Sequence, residues 1–298
     1  MPFLESVEAK LRSVETEKAI DSFEQALKVL RTLGIDDFGF VFMSMPNPQF
    51  PKLSRLLPRM AAETVQLSWT GSSGVTLLRQ TCSFVRALTY NYAKWTLKPL
   101  DGASILDFGC GYGRIARLMY YFTDPSRLVG VDPWDRSIAI CREDRLAGEF
   151  AQSSYLPTSL PVGDRKFDLI YAFSVFTHLS ERATNMCLSV LAKYLQPDGL
   201  LVITIRPIEY WHHHAAVEKI DSVQREISLH REKGFAFLPH NRTAVDGDIT
   251  YGDTSLTLEW LSQKAPFFSV RGVDRSLDDP LQQYVFLQHA SAKKLAEV

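Results

Sequence analysis

Apolar positions along this 298-residue chain change their period near residue 100. Before that point they recur at three- and four-residue steps, as Leu4, Val7, Leu11 and Val14 and then Ile20, Phe23, Leu27 and Leu30. This spacing predicts two amphipathic helices, with Gly34 as a C-terminal stop. The two sets are out of heptad phase with each other. A helix packed on its own domain and a dimerising helix are both open readings. Residues 36–58 are rich in proline, phenylalanine and methionine, which predicts irregular apolar connecting chain. A further helical pattern runs from Val75 to Trp95, with Leu77, Leu78, Cys82, Phe84, Val85 and Leu88 apolar and Ser72 or Ser73 as its cap.

After residue 100 short apolar runs alternate with helical stretches, the signature of an α/β fold with a parallel sheet. Ile105-Leu106 ends a first strand, and Ile115 to Tyr121 begins a helix. Arg127 to Asp132 is a second strand, and Glu149 to Pro157 a third with its loop. Phe167 to Leu179 holds a fourth strand and its C-terminal loop. Leu191 to Gln196 ends a helix, Pro197-Asp-Gly199 is a turn, and Leu200 to Ile205 a fifth, nearly all-apolar strand. Arg206 to Ile249 reads as an insertion containing Glu209-Tyr-Trp-His-His-His214 and a charged helix near Glu218 to Glu232. A helix from Ser255 to Gln263 follows. Phe267 to Gly272 and Gln283 to Gln288 are the sixth and seventh strands, joined by a turn at Asp278-Asp-Pro280.

The stretch between the first strand and helix, Asp107-Phe-Gly-Cys-Gly-Tyr-Gly113, carries the chemistry. Glycine tolerates positive φ and lets backbone approach closely, and such turns are where α/β proteins seat ligands. A dinucleotide fingerprint would place its third glycine where Arg114 stands; here the glycines alternate instead. Asp132 ends the second strand about twenty residues on, a spacing that suits a carboxylate accepting from the vicinal hydroxyls of a ribose. Phe173, Ser174 and His178 follow the fourth strand and project toward the same carboxyl-end crevice.

With four further stretches in the expected order, this motif resembles the class I S-adenosylmethionine-dependent methyltransferases from about Leu100 to the C-terminus. The resemblance implies a Rossmann-like doubly wound seven-stranded sheet with a C-terminal antiparallel hairpin, unlike the dinucleotide dehydrogenases. A helical cap would occupy 1–98 and the methyltransferase domain 99–298, with the insertion at 206–249. It implies S-adenosylmethionine as cofactor, bound by Asp107, Gly109, Cys110, Gly111, Gly113, Asp132, Pro133, Ser153, Phe173 and Ser174. The residue after the acid would pack on adenine, so Trp134 is either a stacking platform or core. Where the family often has an acid for the adenine amine, this chain has Gln152, Ser153 and Ser154. A helix before the first strand commonly covers the cofactor, so Trp69-Thr-Gly-Ser-Ser-Gly74 is either a lid or a capping loop. Gln66 to Gly71, Gly109 to Arg114 and Ser174 to His178 also resemble bacterial methyltransferases that accompany glycosyltransferases. That implies O-methylation of a sugar, glycan or other hydroxylated small molecule. A small-molecule N-methyltransferase is the alternative, and a non-catalytic cofactor-binding scaffold, homodimeric through the N-terminal helix, the reading from another class. Retention of every glycine and of Asp132 favours the enzyme.

Methyl transfer needs acceptor, methyl and sulfur held in line, and a hydroxyl acceptor also needs a base. His178 is the candidate base; the plainer alternative is that it bonds a backbone carbonyl and shapes its loop. Trp69, Arg206, Tyr210 and His212 are the candidate acceptor-pocket residues. Of the run His212-His-His214 only the outer two share a face on a strand, and a metal needs further ligands, so no metal is expected.

Charge and composition change this picture little. A net charge of −1 and a pI near 6.7 offer no basic field for nucleic acid. No run is long enough to span a bilayer. The N-terminus lacks the basic and apolar regions of a signal peptide. Cys82, Cys110, Cys141 and Cys187 show no paired spacing, which predicts reduced thiols and a cytoplasmic protein.

Overall fold

The computed structural model describes residues 2–218 and 223–292. Six helices precede the sheet: α1 (Glu5–Thr16), α2 (Phe23–Leu30), α3 (Ile35–Met43), α4 (Pro51–Leu56), α5 (Glu63–Thr70) and α6 (Gly74–Thr96). The stripe Val7, Leu11 and Val14 on α1 is buried within its own chain, in one core with Leu27, Phe42 and Leu53. Those three side chains are therefore not available to a second chain, while Leu4, the first of the stripe, is exposed. A capping box of Ser22 and Gln25 starts α2. Gly34 does not stop that helix; it is the N-cap of α3. The expected irregular chain at 36–58 contains α3 and α4, because Phe38, Val41, Phe42 and Leu53 find buried partners that local propensity does not register.

The sheet elements then follow as β1 (Ile105–Phe108), α7 (Arg114–Met119), β2 (Leu128–Asp132), α8 (Asp135–Glu143), β3 (Glu149–Gln152), β4 (Phe167–Ala172), α9 (Glu181–Tyr194) and β5 (Leu195–Ile205). Next come α10 (Glu209–Glu218), α11 (Gln224–Lys233), β6 (Phe235–Pro239), β7 (Gly252–Leu256), α12 (Leu258–Lys264), β8 (Phe268–Ser276) and β9 (Asp279–His289). Seven strands form one sheet in the order β3-β2-β1-β4-β5-β9-β8. The first five are parallel, and β9 runs antiparallel to β5 and β8. This is the doubly wound sheet with a terminal hairpin. Alternate residues serve its two faces: Leu200 and Val202 join the core beneath the cap, while Leu201 and Ile203 join the core under α9 and α12. The cap thus shares one continuous core with the sheet.

Three local readings are corrected. Pro197-Asp-Gly199 is not a turn before the fifth strand but a bulge within β5, where Leu195 and Leu200 pair with Phe167 and Leu169. The helix expected from Ser255 begins at Leu258; residues 252–256 are strand and pair with β6 in a separate two-stranded sheet. The charged helix begins at Gln224; residues 219–222 of its expected span, like 293–298 at the C-terminus, lie outside the described residues.

Candidate active site

A cavity of about 840 Å³ opens at the carboxyl ends of β1, β2 and β4. Asp107 to Tyr112 form one wall, and Asp132, Pro133 and Trp134 the next. Phe173, Ser174, Val175 and His178 follow β4 into it, Trp69 and Gln80 reach it from the cap, and Arg242 and Tyr251 from the β6–β7 loop.

Gly109, Gly111 and Gly113 all have positive φ, at 76°, 54° and 72°. Their reasons differ. A Cβ on Gly109 would lie 2.4 Å from Val175, and one on Gly113 2.0 Å from Leu146, so both admit neighbouring chain. A Cβ on Gly111 would meet nothing closer than the Trp69 ring at 3.9 Å and would stand on the cavity wall. The loop is pinned to β2: Gly109 and Cys110 donate their N–H groups to the Val131 carbonyl, and Gly111 donates to Asp132 Oδ2 at 2.9 Å. Asp132 Oδ1 accepts from the Trp134 N–H at 2.9 Å. Each oxygen keeps a further acceptor site for a ligand hydroxyl. Burial raises the Asp132 pKa, opposed by these backbone bonds. Asp107 is buried with Oδ2 unpartnered among the described residues. Burial pushes its pKa up to about 7, opposed by the nearby Tyr171 hydroxyl and reinforced by Asp132.

His178 has both ring nitrogens engaged. A carbonyl can only accept and a guanidinium can only donate, so the partners fix the tautomer. Nδ1–H donates to the Gly252 carbonyl at 2.8 Å, and Nε2 accepts from Arg206 Nη2 at 3.2 Å. Burial, then the Arg206 charge, lower its pKa to about 3. This is a loop-shaping histidine stacked on Tyr251, with ring centroids 5.0 Å apart and planes 6° apart. A proton acceptor would need a free lone pair, which this ring lacks.

Arg206 and Tyr210 do not reach the cavity wall. Both turn onto buried Asp253, whose Oδ1 accepts from Arg206 Nη1 at 2.5 Å and the Tyr210 hydroxyl at 2.6 Å, while its Oδ2 bonds His240 at 2.7 Å. Burial alone would raise the Asp253 pKa, but Tyr210, Arg206 and His240 together hold it well below the usual carboxylate range. The cluster ties β7 and the β6–β7 loop to the loop after β4. His212 is also off the wall: it and His213 are solvent-exposed on α10, while His214 turns inward onto Tyr210. Gly113 lies off the wall because it packs under Leu146. Ser153 does too, since its N–H continues the pairing to the Asp132 carbonyl; Ser154 and Tyr155 line the cavity instead.

Trp134 is neither core nor an open platform. It is 41% exposed and stacks on Trp69, with centroids 4.6 Å apart, so the two bridge the cap to the loop after β2. Trp69 itself lies on helix α5, with Gly71 as its C-cap, so the expected loop at 69–74 starts as helix. The wall residues that the sequence did not single out include Gln80, Arg114, Tyr155, Arg242, Tyr251 and Gln282. Only Arg114 had a signal, its place directly after the glycines.

Residues 105–199 match a family profile described as "Methyltransferase domain". The ubiquinone biosynthesis O-methyltransferase of Bartonella bacilliformis is 25% identical over 39% of this chain and 46% of that protein. The fatty-acid O-methyltransferase of Mycolicibacterium smegmatis is 26% identical over 56% of this chain and 61% of that protein. An uncharacterized protein of Rickettsia prowazekii is 30% identical over 38% and 47%. The chain thus spans about half the length of the curated relatives it matches. Among solved structures, PKMT2 of Rickettsia typhi in complex with AdoHcy aligns with a TM-score of 0.49 at 16% identity, over 70% of this chain and 54% of that one. The fold assignment rests on the strand order rather than on that likeness. The stretch that matches this profile holds the glycine loop and strands β1 to β4 of the Rossmann-like sheet.

Proposed function

We propose that this chain is an S-adenosylmethionine-dependent methyltransferase acting on a small hydroxylated acceptor, with a sugar or glycan as the first class to test. The observation that carries this is the joint placement of Gly111 and Asp132 on one cavity wall. Gly111 leaves room for a ligand against the backbone, and Asp132 presents acceptor sites beside it that suit ribose hydroxyls. Asp107, buried with one oxygen unpartnered, fits a ligand donor at the same wall. When bound, the cofactor supplies an electrophilic methyl on a sulfonium. The chain's part is to hold the acceptor in line and exclude water, through Trp69 and Trp134 on one side and the loop carrying Tyr251 on another. That the curated relatives include enzymes named O-methyltransferases supports an oxygen acceptor.

The state of His178 favours a second reading at the acceptor. With its lone pair held by Arg206, the wall lacks a poised histidine base. An acceptor that is nucleophilic without proton removal, such as a carboxylate, an acidic hydroxyl or an amine, needs none. Four free, buried cysteines are in keeping with a reducing compartment, and no helix among the described residues is long and apolar enough to cross a membrane.

The test is calorimetric titration with S-adenosylmethionine and S-adenosylhomocysteine on the wild type and on Asp132→Ala. Binding of both that is lost in the variant supports the reading and opens an acceptor screen across sugars, acids and amines. Absence of binding by either in the wild type would overturn it.

A further inference from the structure

The loop between β6 and β7 holds one cation against the cavity. Val245 and Asp248 exchange backbone hydrogen bonds, at 2.8 and 3.0 Å, across a two-residue turn in which Asp246 and Gly247 both have positive φ. This hairpin is fastened to the start of α9: Asp246 pairs with Arg182, Asp248 accepts from the Ser180 hydroxyl, and the Thr250 carbonyl accepts from the Ser180 N–H. Both carboxylates of the loop are thus turned to α9. Arg242, in the same loop, lines the cavity instead and makes no hydrogen bond or ion pair among the described residues. The other arginine on the wall, Arg114, is held by Gln80 and Thr81. The Arg242 guanidinium carbon lies 5.4 Å from the centroid of the Tyr251 ring. Tyr155 reaches the same wall from the loop after β3, and neither phenol hydroxyl bonds a protein group among the described residues. Burial raises both phenol pKa values, so both keep their protons and can donate. The Arg242 charge opposes the rise in each, which puts it within electrostatic reach of both. A planar cation flanked by two donors matches an anion with several oxygens.

We propose that Arg242, Tyr155 and Tyr251 form an oxyanion subsite at the cavity mouth, and that the methyl acceptor carries a carboxylate or phosphate group that binds there. The inference rests on the adenosylmethionine reading above and narrows its acceptor to molecules bearing an anionic group. Asp132 faces the same space, but its oxygens already meet two backbone N–H groups, and a bound sulfonium adds positive charge to the cavity. Arg242 is then a specificity-determining residue. A neutral acceptor leaves its charge without a counter-ion, whereas an anionic one gains charge-assisted hydrogen bonds.

The experiment titrates benzoate, phenyl phosphate and neutral benzamide by calorimetry into the chain saturated with S-adenosylhomocysteine, which occupies the cofactor's place. The wild type should bind the better of the two anions about tenfold more tightly than benzamide, the effect of charge-assisted hydrogen bonds. Tighter binding of benzoate supports a carboxylate acceptor, and tighter binding of phenyl phosphate a phosphorylated one. Arg242→Gln should lose most of the anion preference with benzamide binding unchanged. Tyr155→Phe and Tyr251→Phe should lose a smaller part in the same sense. A wild type without anion preference, or an Arg242→Gln variant that keeps it, would overturn the subsite. An Arg242→Gln variant that weakens S-adenosylhomocysteine instead of the anions would reassign the guanidinium to the cofactor and likewise overturn it. A wild type that does not bind S-adenosylhomocysteine would fail the cofactor reading itself, and the same titrations on the free chain would then decide the subsite.

Discussion

Gly111 and Gly113 share a backbone conformation, so replacing each with alanine separates ligand space from packing space. Both φ values are left-handed, and an alanine there costs about 1 kcal/mol in either case. At Gly111 the new methyl meets only the Trp69 ring, at an ordinary 3.9 Å, so strain is the whole stability cost. At Gly113 it would lie 2.0 Å from Leu146 Cδ2 and 3.4 Å from Arg117 Nη1. Leu146 is half-buried and can turn, so overpacking adds about 1–2 kcal/mol, near the lower end for inserted methyls. Gly113→Ala should therefore lose about 2–3 kcal/mol, a fall in Tm of roughly 3–5 °C, and Gly111→Ala about half that or less. Ligand affinity should order the other way. The Gly111 methyl stands on the cavity wall and should weaken S-adenosylhomocysteine about tenfold or more, whereas folded Gly113→Ala should bind nearly as the wild type does. Thermal unfolding and calorimetry on both variants measure the two orders. If Gly113→Ala proved as stable as Gly111→Ala, or lost binding at unchanged stability, the division of labour among these glycines would be refuted.

Other variants probe the buried charges. Between the ordinary carboxylate range near 4 and its folded value of about 7, Asp107 holds a proton that the unfolded chain lacks, so stability should fall as pH rises through that window. Asp107→Asn should flatten that slope in urea unfolding from pH 5 to 8; an unchanged slope would mean that the carboxylate is already ionised at pH 5. His178 behaves in the opposite sense: with its folded pKa lowered to about 3, it stays neutral while the unfolded chain takes up a proton below about 6.5. Acidification from pH 7 to 5 should therefore cost about 2 kcal/mol, most of it absent in His178→Gln. Arg117 is wholly buried and donates to the carbonyls of Tyr112, Gly113 and Arg59, so it fastens the cap to the glycine loop. Arg117→Met should lose about 3 kcal/mol or more in urea unfolding, and a loss below about 1 would show that the cap is held by its apolar core alone.

What the sequence could and could not reveal follows from how each feature is encoded. The strands carry their own record, because a residue buried on either sheet face must be apolar wherever the chain goes afterwards. Leu200 to Ile203 could be placed without knowing β9. The glycine loop is equally local, since positive φ at 109, 111 and 113 excludes most other residues. The acceptor side is not local. Tyr210 and Arg206 have the chemistry of pocket residues, and only the position of Asp253, more than forty residues on, turns them inward to brace a loop. The residues that do reach the wall, Arg242 and Tyr251, sit in a stretch with neither period nor motif. Helices α3 and α4 escape the sequence for a related reason: Phe38, Phe42 and Leu53 read as irregular apolar chain until the helices they pack on, α6 and α7 for α3 and α1 and α2 for α4, are in view. Their burial also explains why the cap is not a detachable lid. Its core continues through Leu27 and Phe42 to Tyr171 and Phe286, and its helix α6 places Gln80 on the cavity wall. Opening the site by swinging the whole cap would expose that core to water at about 25 cal/mol for each Å² of apolar surface. The smaller contacts at the mouth, the Trp69–Trp134 stack and the loop carrying Arg242 and Tyr251, are where a ligand can enter without that cost.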